Sequence, residues 1–92
     1  MTSFRVLTFN CLFRGAARER LDAVGRLLDK SNIDFLCLQE VTQRRNVRLL
    51  ESRLASYRAA EYRPHAGIAV KGGLVNLALA PIERSSYEVF RE

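Results

Sequence analysis

The chain has 92 residues, 48% of them hydrophobic and 27% charged, with 15 Lys and Arg against 10 Asp and Glu for a net charge of +5. That balance excludes an intrinsically disordered chain, and the lack of any uninterrupted apolar stretch of spanning length excludes a transmembrane helix. Cys11 and Cys37 lie in separate hydrophobic runs with no CxxC or Cys/His cluster, which excludes a structural zinc site and reads as two buried, reduced thiols in an intracellular, cytoplasmic protein.

Residues 4–10 alternate, with Phe4, Val6 and Thr8 on one face and Arg5, Leu7 and Phe9 on the other. Their β-branched and aromatic content favours a strand, and apolar groups on both faces predict a central one. Gly15 breaks the alternation; Leu21, Val24, Leu27 and Leu28 then recur at helical spacing, predicting an amphipathic helix over 18–30 that stops near Ser31 and Asn32. Residues 33–41 form a near-continuous apolar run, the pattern of a strand buried on both faces. A strand, helix, strand unit implies a parallel pair.

Thr42 is placed to cap a second helix reaching about Ala55, with Val47, Leu50 and Leu54 inward and Arg44, Arg45, Arg48 and Arg53 forming a basic outer surface. Short strands over 57–62, 68–70 and 74–80 follow, separated by turn signals at 63–67 and at Lys71-Gly72-Gly73, and read as antiparallel hairpins. Pro81 ends the last of these, and 87–91 has the character of one more strand. With no repeat, linker or low-complexity stretch, residues 1–92 read as one domain.

Two strand ends carry polar side chains suited to chemistry: Asn10, and Gln39 with Glu40. In a parallel pair the C-terminal ends share one edge of the sheet, where ligands bind in strand-helix units, and a strand spacing of about 5 Å brings both side chains into one site. A lone carboxylate closing an apolar strand is costly to half-bury unless it is paired or holds a cation, and magnesium is satisfied by one or two carboxylates with waters. The competing structural readings are a strand-end turn former for Asn10 and a helix N-terminal acid for Glu40. His65, the single histidine, falls in a Pro-containing turn and reads as a surface residue.

Thr8-Phe9-Asn10, the helix after it, the Leu38-Gln39-Glu40-Val41 segment, the Lys71-Gly72-Gly73-Leu74 turn and Pro81-Ile82 together resemble the opening signature segments of the endonuclease/exonuclease/phosphatase superfamily, of the magnesium-dependent phosphodiesterase type. The resemblance implies the N-terminal part of a four-layered α/β sandwich, with a mixed sheet and two helices. It implies that Asn10 and Glu40 are catalytic and metal-site residues: Asn10 helps position the scissile phosphate and metal-bound groups, and Glu40 is a direct ligand of Mg2+, with Mn2+ as a substitute. Thr8-Phe9-Asn10-Cys11 leans toward the sphingomyelinase-like and general phosphodiesterase branches.

The departures from the pattern are equally specific. Asn76-Leu77-Ala78-Leu79-Ala80 stands where the family carries a Ser-Arg before its Pro, the later Asp-x-Asn and Asp-His pairs have no counterpart, and the last aspartate is Asp34. Phosphoester hydrolysis needs an activated water, charge neutralisation and leaving-group stabilisation, more than one carboxylate and one amide supply. The expectation is therefore a partial domain, truncated at its C-terminus and inactive alone, that self-associates or pairs with the missing part and whose complete enzyme acts on a phosphodiester or phosphomonoester of nucleic acid, lipid or nucleotide type. The alternative is a non-catalytic α/β module that binds nucleic acid or a protein partner through its arginines, since a guanidinium contacts phosphate in bidentate fashion.

Overall fold

Residues 3–11, 15–65 and 69–82 are described by the computed structural model of the chain. The first strand, β1, is Val6–Asn10, and helix α1, Ala17–Asp29, carries the chain back to β2, Phe35–Gln39. The two strands pair in parallel with Val6 opposite Phe35 and Asn10 opposite Gln39. Helix α2, Arg44–Arg53, leads to β3, Ala59–Glu61; a short ribbon follows, β4, Pro64–His65, with β5, Ala69–Val70. A 3₁₀ turn over Lys71–Gly73 then delivers β6, Val75–Ala78.

The main sheet runs β1-β2-β6-β3, with β6 antiparallel to both of its neighbours. One face of it is the core. Leu36 and Leu38 of β2 and Val75 and Leu77 of β6 meet Leu21 and Leu28 of α1, Val47 and Leu50 of α2 and Leu54 just after it, all buried, and each such side chain contributes roughly 1.5–3 kcal/mol on leaving water. Both helices lie on this side, so the described residues form two layers.

The turn after α1 is held by polar contacts. Ser31 Oγ donates to the Leu28 carbonyl at 2.7 Å, Asn32 takes a left-handed φ of 58°, which asparagine tolerates, and the buried Tyr57 hydroxyl donates to the Ile33 carbonyl at 2.7 Å. At the opposite end of the sheet from Asn10, Asp34 Oδ2 accepts the Arg5 amide at 2.8 Å and ties the starts of β1 and β2 together.

Several expectations from the sequence need correction. Among the described residues β1 stands at the edge of the sheet, not at its centre, and Val6 on its outer face is 53% exposed; apolar residues on both faces do not distinguish burial from an uncovered surface. Leu27, expected on the inner face of α1, is 73% exposed, since the face α1 buries runs through Leu21, Gly25 and Leu28. Thr42 does not cap α2: Gln43 occupies that position, without a side-chain bond, while the Thr42 carbonyl accepts the Val70 amide at 2.9 Å. Nor does the Lys71-Gly72-Gly73 turn close a hairpin; β5 pairs with β4, and β6 joins the main sheet. The strand expected over 87–91 lies outside the described residues.

Candidate active site

The parallel register sets the geometry. Asn10, the last residue of β1, stands opposite Gln39, the last of β2, and the Cys11 amide donates to the Gln39 carbonyl at 2.9 Å, carrying the ladder one residue further. Glu40 follows directly. The amide and the carboxylate singled out in the sequence therefore sit at the same rim of the sheet, and both are exposed. Since β6 runs antiparallel, its beginning lies at this rim as well, with Gly73 and Leu74 just before it.

Glu40 has a φ of 62°, a left-handed conformation that costs a side-chain-bearing residue of its type roughly 1–3 kcal/mol. The bend breaks the alternation of β2 and sends Val41 into the core, where it is fully buried. The residues around it are fixed by backbone bonds: Val41 donates to the Gly73 carbonyl at 2.9 Å, Val70 donates to the Thr42 carbonyl at 2.9 Å, and Gln43 bridges Ala69. Glu40 is outside α2, which starts at Arg44 and has no acid in its first turn, so the reading of Glu40 as an acid placed for the helix dipole does not hold.

The remaining polar groups define what the rim can do. Burial pushes the Cys11 thiol up to about 11, with Arg20 acting to lower it and Glu40 to raise it further. The same causes put a guanidinium and a carboxylate within electrostatic reach of this thiol. Gln39 Nε2 is engaged with the Cys37 carbonyl at 3.0 Å. Thr42 Oγ1 is buried without a hydrogen-bond partner among the described residues.

For a hard divalent ion the donor chemistry fits in kind, an exposed carboxylate at Glu40 and an amide oxygen at Asn10, with water completing the shell. It is sparse in number: among the described residues no three His, Cys, Asp or Glu side chains are grouped to hold a metal. Asp34 is at the far end of the strands and does not belong to the rim; His65 is in β4, its backbone paired with Ala69.

The arginines do not form one basic surface. Arg53 pairs with Asp22 of α1, and Arg18 Nη1 donates to the buried Asn46 Oδ1 at 3.0 Å; of the α2 set only Arg45 and Arg48 are exposed. What sequence reasoning missed at the rim is the backbone: the left-handed Glu40 and the glycine against it. The adjacent glycines at 72 and 73 were the available signal.

The sequence profile of the Endonuclease/Exonuclease/phosphatase family matches residues 7–86. Among solved structures, an endonuclease/exonuclease/phosphatase family protein from Leptotrichia buccalis C-1013-b superposes with a TM-score of 0.65 at 16% sequence identity, over 89% of this chain. The chain spans 39% of the length of that protein. Comparison with curated proteins returns no match.

Proposed function

The chain belongs to the Endonuclease/Exonuclease/phosphatase family, and from that premise we propose that it carries the first part of a metal-dependent phosphoester hydrolase site, in which Glu40 is the Mg2+ ligand and Asn10 the amide that orients the phosphate. The observation that carries the proposal is the residue at the bend after β2. A left-handed φ of 62° is where glycine costs least, yet an exposed carboxylate stands there, beside Asn10 and outside any helix. Strain of this kind is retained where the side chain has a task.

A bound Mg2+ or Mn2+ would supply Lewis-acid polarisation of a phosphoryl oxygen. Glu40 contributes the hard anionic oxygen, and Asn10 offers a neutral amide that donates to a phosphate oxygen without adding charge. Val41 and Val75, next to the rim in sequence, are fully buried and anchor the backbone there. One carboxylate and one amide bind and orient; they do not activate water, so the chain alone is inactive. The remaining groups come from a further layer, and the sheet face bearing Val6 and Phe35, uncovered among the described residues, supports the reading that such a layer packs there. The substrate class is a phosphodiester or phosphomonoester.

The test is a Mn2+ titration of the isotopically labelled chain followed by paramagnetic line broadening. Broadening centred on Asn10 and Glu40 that disappears in Glu40→Gln, with the rest of the spectrum unchanged, is the expected result. Equal broadening in the Gln variant would remove Glu40 from the metal site.

A further inference from the structure

We propose that Gly73 is a positioning residue for the candidate site: the close approach of its backbone holds Glu40 in the left-handed bend and so aims the carboxylate at the rim. The inference rests on the reading of Glu40 as a metal ligand, and adds to it a residue 33 positions away in sequence.

Gly73 is buried and has a φ of +64°. A Cβ built on it would lie 3.2 Å from Glu40 Cα, 3.2 Å from Thr42 Cγ2 and 3.4 Å from the Glu40 nitrogen. Two of these three atoms are backbone, next to a strand end, and cannot swing aside as the tip of a long side chain does. The Gly73 carbonyl also accepts the Val41 amide at 2.9 Å. Any side chain at 73 must therefore push on the Cα of Glu40, the atom whose torsion sets the direction of the carboxylate.

The clamp is two-sided. Cys11 holds the Gln39 carbonyl from β1, and Val70 and Gly73 hold Thr42 and Val41 from the other side. Glu40 lies between these tied neighbours, so displacing Gly73 shifts Glu40 against Gln39. A ligand oxygen displaced in this way loses its match to a metal that tolerates little departure from octahedral geometry. Loss of such indirect support typically weakens metal binding by about tenfold to a hundredfold.

Gly15 supplies a matched control. Its φ is +62°, so an added Cβ meets the same backbone penalty, but nothing lies within 4 Å of where that Cβ would be. Gly15→Ala and Gly73→Ala of the full 92-residue chain are compared by urea denaturation, by the backbone chemical shifts of residue 40 and by Mn2+ line broadening. The expected result is that both variants lose stability, while Gly73→Ala alone shifts the Glu40 and Val41 resonances and weakens Mn2+ binding about tenfold or more. Wild-type Glu40 shifts and wild-type Mn2+ affinity in a folded Gly73→Ala would overturn the inference.

If the wild-type chain shows no Mn2+ broadening at Glu40, the ligand reading fails while the shift comparison still decides whether Gly73 sets the bend. Should Gly73→Ala not fold, hydrogen exchange of the wild-type chain replaces it. The Val41 and Val70 amides are expected to be protected alike and to open together, and exchange of Val41 at the rate of an unbonded amide overturns the clamp.

Discussion

Glu40 and Asp22 show how single side chains trade stability against position. Glycine at position 40 removes the left-handed penalty of roughly 1–3 kcal/mol but adds disorder to the unfolded chain worth about 0.4–1 kcal/mol. Glu40→Gly is therefore expected to stabilise the fold by about 1 kcal/mol in urea denaturation while losing the Mn2+ signal, the pattern of a residue kept for its chemistry. Asp22 lies between two guanidiniums, hydrogen-bonded to Arg53 Nε and, at 3.1 Å, to Arg26 Nε, and these partners, Arg53 foremost, hold its carboxyl below the usual carboxylate range. A depressed native value means the stabilisation is fully present above the ordinary carboxylate pKa and is lost as pH falls through the lower native one. Urea midpoints measured from about pH 6 down to about pH 2 should show this decline, and Asp22→Asn should flatten it. A decline of equal steepness in the Asn variant would assign the acid sensitivity to other groups.

Among the elements, the helix pair has the tightest tolerance. Gly25 is buried in α1, and a Cβ there would come within 2.7 Å of Arg53 Cβ on α2. That atom is one bond from the helix backbone, so the helices must separate. Gly25→Ala gains about 1 kcal/mol in helix propensity but is expected to lose about 1–3 kcal/mol to overpacking, a net destabilisation readable as a lower urea midpoint. An unchanged or higher midpoint would mean that the interface yields.

Both helices were legible in the sequence to within a residue or two because Leu21, Val24 and Leu28, and likewise Val47, Leu50 and Leu54, repeat at helical spacing over about two turns. The boundaries were less so: Thr42 has the chemistry of a cap, but its carbonyl is taken by Val70 and its hydroxyl is buried, a tertiary demand that local composition does not carry. That Asn10 and Glu40 share one rim was legible because strand ends and a parallel pair follow from pattern. The close approach of Gly73 to Glu40 was not, because it joins segments 33 residues apart.

At the scale of the whole, the described residues leave one side of the sheet uncovered. Phe4 and Phe35 meet edge to face, with ring centroids 5.8 Å apart, and remain 64% and 41% exposed beside Val6. Contiguous apolar surface of this kind marks an interface. The chain is expected to self-associate through it, and Phe35→Glu should shift sedimentation toward monomer at little cost to stability, since the ring is not in the core. Association undiminished in that variant would move the contact elsewhere, for instance to the open edges of β1 or β3.

The same face explains the sequence reading of β1 as central, for the apolar residues that suggested two covered faces belong to a sheet covered on one. The sheet also sets an order of assembly. Because β6, the latest strand of the four, enters between β2 and β3, a growing polypeptide cannot complete the sheet by adding strands outward. β1, α1 and β2 have their mutual partners as soon as they leave the ribosome, whereas β3 waits without a neighbour until Val75–Ala78 emerges to join it to the rest.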